Sequence, residues 1–175
     1  MDKSYWLFHF RLAGERDNNS VKNAHGLGHA YRCLTIIKEL ESSHNIRSIV
    51  VINKSLEGQK FLSSRGIDHF YEEDLESVLK KKSIEIIISD INYLEQNFID
   101  IYEKFTPWVS LAPRGQTKYQ SSISFKDTLF NDVDPINKQN NNLIFSGTDY
   151  VVTRPEFQLI KQNSIYKGNK KNICK

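Results

Sequence analysis

Cysteine is scarce in this chain: among 175 residues it occurs only at Cys33 and Cys174. Two thiols so far apart make neither a disulfide framework nor a zinc ligand set, and the expectation is a reducing, cytoplasmic setting. A surplus of one charge is lacking too. Lys and Arg number 24 against 21 Asp and Glu, a net charge of +3. Apart from Lys80-Lys81-Lys82 and the tail KGNKKNICK the lysines are scattered, which argues against nucleic acid as a partner. No apolar run approaches the ~20 residues of a membrane span. The run opening at Tyr5 is cut off by Arg11 with no small-residue cleavage site behind it, so it reads as a first strand and not as a signal peptide.

What is present is alternation. Tyr5 to Phe10 is a buried-type strand, and IRSIVVIN (46–53) is rich in β-branched residues. SLEGQKFLSSRG has a serine start and a glycine stop, both helix boundary signals. A short strand at 67–71 precedes EEDLESVLKKKS, a helix with acids first and lysines last, as the helix dipole prefers. IEIIISD (84–90) is a continuous apolar strand ending in Asp90; LEQNFIDIYEKF is an amphipathic helix and PWVSLA another strand. Strands of continuous apolar character alternating with helices predict an open α/β domain, a parallel sheet with helices on both faces. After Ala112 the pattern weakens: PRGQTKYQSSISFKD reads as a loop, TLFND (128–132) as a short strand, KQNNN as a turn. The proline of GTDYVVTRPEF suits the first turn of a last helix. The domain is expected over 1–160, with 161–175 as a linker or tail.

The densest signal is HGLGHAYRCLTIIKELE (25–41). Gly26 and Gly28 bracket Leu27, His29 follows at once, and Ala30, Cys33, Leu34, Ile37 and Leu40 keep helical spacing. In open α/β sheets ligands bind beyond the carboxyl ends of the strands, where this turn lies. Glycines let backbone approach a ligand closely, and the N–H groups of a helix start attract anions such as phosphate. A neutral imidazole there can accept a proton, so His29 is a candidate general base. Other chemistries lack their parts. A dinucleotide fingerprint needs a third glycine where Tyr31 stands, and no GK[ST] triplet follows to make a triphosphatase loop. His25 and His29 have metal-pair spacing, but Gly26 and Gly28 lie between them and no acid sits in the helical frame. A tight strand-to-helix turn with an exposed histidine stays open beside catalysis.

GLGHAYRCLTIIKEL resembles the GxGHxxR segment of the nucleotide-sugar hydrolases of pseudaminic acid biosynthesis. It also resembles the related spore-coat polysaccharide proteins, which share the GT-B fold of inverting glycosyltransferases. GTDYVVTRPEF (147–157) looks like the G-x-x-Y-x-x-x-R-x-E-F segment closing the N-terminal domain of that family, and IEIIISDINYL sits where the family has a strand ending in aspartate followed by a tyrosine. The resemblance implies a Rossmann-like N-terminal domain and the release of UDP from a UDP-linked deoxy-acetamido sugar, with neither metal nor cofactor. It puts His29 in the catalytic role, with Gly26, Gly28, Arg32, Asp90, Tyr93 and Arg154 binding substrate, and Tyr150, Glu156 and Phe157 in the closing motif. Three features depart from the family pattern. The loop from Leu12 to His25 is longer, Ala112-Pro113-Arg114 stands where the family often carries an acidic pair, and no glycine-rich turn follows residue 158. The resemblance therefore implies an incomplete site, with a separate C-terminal-domain chain as an expected partner. The alternatives are half of a glycosyltransferase acting on a UDP-sugar, or a noncatalytic module binding a sugar or another chain. Read without the resemblance, Arg32 pairs with an acid on the helix surface and Asp90 caps the following helix. Tyr150 and Phe157 belong to the core, and Arg154 and Glu156 form a local ion pair.

Overall fold

A computed structural model describes residues 4–12, 27–113, 121–126 and 143–152. Among these, strands β1 (Tyr5–Phe10), β2 (Arg47–Ile52), β3 (His69–Tyr71), β4 (Ile84–Asp90), β5 (Trp108–Leu111), β6 (Ile123–Lys126) and β7 (Leu143–Ser146) form one sheet in the order β3-β2-β1-β4-β5-β6-β7. Every pairing is parallel. The helices are α1 (Leu27–His44), α2 (Leu56–Ser63), α3 (Leu75–Lys81) and α4 (Gln96–Phe105). This is the expected Rossmann-like α/β architecture, and none of these helices is long and apolar enough to cross a membrane.

The two faces of the sheet bury separate cores because successive residues of a strand point to opposite sides. Phe8, Phe10, Val50, Ile52 and Ile88 pack with Ala30, Cys33 and Ile37 of α1 and Leu62 of α2. Leu7, Ile49, Val51 and Ile87 pack on the other side with Leu79 of α3 and Ile99 and Tyr102 of α4. Each fully buried side chain of this size is worth about 1.5–3 kcal/mol relative to exposure. The boundary signals in the second helix hold: the Ser55 hydroxyl accepts the Gly58 N–H at 3.1 Å, and Gly66 takes φ +66° beyond the helix end.

Three expectations need correction. Helix α1 begins at Leu27, so Gly28 lies in its first turn and not in a turn before it. No described atom comes within 4 Å of where a Gly28 Cβ would stand, and nothing in the described fold demands glycine there. Residues 123–126, read as loop, form β6. Their strand signal is hidden because Ser124 occupies a core position, where serine is made tolerable by a buried ring of hydroxyls. Ser110 Oγ lies 2.8 Å from Ser121 Oγ and 2.9 Å from Ser124 Oγ, and the last two are 2.7 Å apart. Buried polar groups are admissible when bonded in this way. The segment Leu143–Ser146 is likewise a strand that the sequence pattern did not single out. The strand expected at 128–132, the turn at 138–142 and the last helix lie outside the described residues.

Candidate functional site

Strand numbering falls from the β3 edge to β1 and then rises from β4, so the order reverses between β1 and β4. That reversal opens a crevice at the carboxyl ends of the two strands, the usual ligand position in open α/β sheets. Asp90 ends β4, opposite Phe10 at the end of β1. Because Asp90 shares the face of Ile88, it meets α1, and its side chain is wholly buried. Three N–H groups converge on it. His29 Nδ1 donates to Oδ1 at 2.7 Å, Arg32 Nε to Oδ2 at 2.7 Å and Arg32 Nη2 to Oδ1 at 2.9 Å. The spacing of three residues puts His29 and Arg32 on one face of α1, one helical turn apart.

The arrangement has a definite chemical consequence. A carboxylate only accepts hydrogen bonds, so Nδ1 is the protonated nitrogen and the lone pair of the neutral imidazole lies on Nε2. A carboxylate that fixes the tautomer and orientation of a histidine is the second half of the acid–base pairing found in hydrolytic triads. The two-pronged bond from Arg32 holds that carboxylate in one plane. Beside it the Cys33 Sγ stands 3.8 Å from Oδ2, and burial, aided by the Asp90 charge, pushes this thiol well above its ordinary value. Cys33 is therefore a packing residue and not a nucleophile.

Comparison with family models, with curated proteins and with solved structures gives no match to this chain.

That geometry joins Asp90 to His29 and Arg32, which lie 61 and 58 residues before it in the sequence. It overturns the two plain readings, since Arg32 pairs with a buried strand residue and not a surface acid, and Asp90 is committed to α1 and not to capping α4. Tyr93 stands 49% exposed at the bend after β4. Gly26, Arg154, Glu156 and Phe157 lie outside the described residues. Tyr150, read as core, is 40% exposed, and its ring packs against Phe125 and Phe145 at 5.8 and 5.5 Å between centroids.

Two features escaped the sequence reading. On the opposite face of the sheet the buried His9 donates from Nε2 to Glu72 at 2.8 Å and accepts the Tyr102 hydroxyl at Nδ1. Arg11 reaches Glu72 at 2.5 Å through Nε and Glu95 at 2.6 Å through Nη1. Burial lowers the His9 pKa despite the pull of Glu72, so His9 is neutral at neutral pH. Burial alone would raise Glu72, but the hydrogen bonds from His9 and Arg11 outweigh it and hold this carboxyl at about 2. The available signal was a histidine and an arginine at the end of an otherwise apolar strand. The second feature is a cavity of about 280 Å³ next to Arg32, walled by Ile36, Leu111, Phe125, Tyr150 and Val151. It joins α1, β5, β6 and the segment after β7, four parts that no local pattern relates.

Proposed function

We propose that this chain provides the catalytic α/β half of a site that hydrolyses a UDP-linked deoxy-acetamido sugar, with His29 as the general base. The observation that carries the reading is the 2.7 Å bond from His29 Nδ1 to the buried Asp90 at the strand-order reversal. It couples the two residues that the GxGHxxR resemblance and the strand-terminal aspartate single out separately. In this reading His29 Nε2 takes a proton from water as the water oxygen bonds to the anomeric carbon. The bond from that carbon to the phosphate oxygen breaks, and UDP leaves with the electron pair. Asp90 keeps the imidazole in the accepting tautomer and stabilises the imidazolium that forms, and Arg32 keeps Asp90 in place. The start of α1 favours the negative charge that grows on the leaving diphosphate.

UDP release from UDP-N-acetylglucosamine, followed beside UDP binding by amide NMR, tests the proposal. Removing a general base costs typically 10²–10⁴-fold. His29→Ala should therefore lower UDP release by at least about 100-fold while UDP binding persists. The lone half-site should turn over slowly; a wild-type chain whose α1 and β4 amides do not respond to UDP-N-acetylglucosamine overturns the reading, as does a His29→Ala variant with undiminished turnover.

A further inference from the structure

We propose that His9, Tyr102 and Ser89 form a proton-driven hydroxyl switch: when His9 takes up a second proton, Tyr102 turns its O–H from His9 Nδ1 to Ser89 Oγ. His9 of β1 and Ser89 of β4 are partners in register, so their side chains share one face of the sheet. The row continues in register through Ser110 of β5 and Ser124 of β6. All four are buried, at positions where a parallel sheet ordinarily carries Val, Ile or Leu. Ser110 and Ser124 are satisfied within the ring they form with Ser121. Ser89 stands outside that ring, and its Oγ has no hydrogen-bond partner among the described residues. An enclosed hydroxyl without a partner is costly and calls for a reason.

The neighbours of His9 supply one. Glu72, on the turn after β3, is held at about 2 and stays a carboxylate well into the acid range. It can only accept, so it fixes the proton of neutral His9 on Nε2. Nδ1 is then the acceptor, and Tyr102 of α4 gives it its single O–H. Burial raises the Tyr102 pKa and the nearby Ser89 hydroxyl opposes the rise, so Ser89 lies within reach of a hydroxyl that is committed elsewhere. A proton arriving from solvent at Nδ1 turns that nitrogen from acceptor to donor. Tyr102 keeps its own proton, offers a lone pair to the new N–H and, by rotating about its C–O bond, donates to Ser89 Oγ. The new N–H is the one covalent bond formed, and none breaks. Burial opposes the added charge most and Arg11 opposes it too, while Glu72 and Glu95 favour it; the uncharged Phe98 ring packs edge-on against the imidazole at 5.1 Å between centroids. Proton uptake therefore falls below pH 6.5. Ser89 directly precedes Asp90 on β4, so the switch sits on the strand that carries the candidate site, on the opposite face. It does not depend on the nucleotide-sugar reading.

Histidine side-chain NMR of the whole chain, from about pH 8 to about pH 4, tests the switch, with His9→Gln to assign the signal. His9 should carry its proton on Nε2 at the alkaline end and titrate below 6.5 in the folded chain. Ser89→Ala removes an acceptor that only the charged state uses. It should lower the His9 midpoint by about half a pH unit or more, the worth of one hydrogen bond, or roughly threefold in proton affinity. Urea unfolding at the alkaline end should show no loss of stability in that variant. In a Tyr102→Phe background the same Ser89→Ala change should leave the midpoint where Tyr102→Phe alone puts it, since the two residues act as one unit. An unmoved midpoint in Ser89→Ala, an equal effect in both backgrounds, an Nδ1–H tautomer at the alkaline end, or unfolding before His9 titrates overturns the switch. So does a long-lived water bound to Ser89 Oγ in a water-contact NMR experiment, because the hydroxyl would then have its partner before any proton arrives.

Discussion

Asparagine at position 90 would keep the shape of the side chain and remove its charge. Asp90 is wholly buried and accepts three N–H groups from His29 and Arg32. Asparagine would offer one oxygen to them and turn an NH2 group against the guanidinium. Stripping one partner from a buried ion pair costs about 3–5 kcal/mol, because a charge is left without compensation. Arg32 and His29 keep 18% and 12% of their side-chain exposure, and water reaching them lowers the cost of Asp90→Asn to about 2–4 kcal/mol. Urea unfolding at pH 7 followed by circular dichroism measures it, and an unchanged m-value would show that the denatured state is unaffected. The double variant Asp90→Asn with Arg32→Met removes both charges and should regain at least about 1 kcal/mol over the single one, since replacing both members of a buried pair is often neutral. A single-variant loss under about 1 kcal/mol, or a double variant no more stable than the single, would refute the argument that Asp90 and Arg32 compensate one another.

Two further predictions concern the supports of the site. A Cβ at Gly58 would come within 2.9 Å of Leu12 Cδ1 and 3.0 Å of Leu12 Cβ, and Leu12 cannot retreat because Asn53 bonds its N–H and carbonyl at 2.8 and 3.1 Å. Overpacking of about 1–3 kcal/mol should outweigh the ~1 kcal/mol that alanine gains in helix propensity, so Gly58→Ala should lower Tm by about 2–4 °C in a calorimetric scan, and a rise would contradict the clash. The second is acid sensitivity. Glu72 is held at about 2 against an ordinary 4.5, so its stabilisation is fully present above pH 4.5 and disappears as pH falls towards 2. His9 is lowered from 6.5, so the unfolded chain takes up that proton first and stability falls as pH drops through 6.5. Both groups act in the same direction, with about 1–3 kcal/mol from Glu72 after allowing for its contact with water. Urea midpoints should decline from pH 7 to pH 3, and Glu72→Gln should flatten the decline below pH 4.5; a variant with the wild-type slope would count against the network.

The part of the site legible in the sequence was the part written in local chemistry. His29 and Arg32 are three residues apart at the start of a helical pattern, so their common face follows from 3.6-residue periodicity. Asp90 was visible as the polar end of an apolar strand, but its partner was not. Helix capping and pairing with α1 are equally compatible with an aspartate after a strand. The register of β4 against β1, with Asp90 opposite Phe10, chose between them. Strand β6 was missed for a related reason: a serine reads as polar until the hydroxyls that satisfy it are known to be adjacent.

Alternating strands and helices, the apolar faces that cover a parallel sheet and the helix that presents His29 were determined by the sequence alone, because hydrophobic periodicity acts between near neighbours. Only the tertiary structure decided that Asp90 locks His29, that Glu72 neutralises Arg11 and that Ile36, Phe125 and Val151 wall one cavity. Each of these joins residues more than 25 positions apart, and such encounters are set by sheet order and register, which no local pattern encodes.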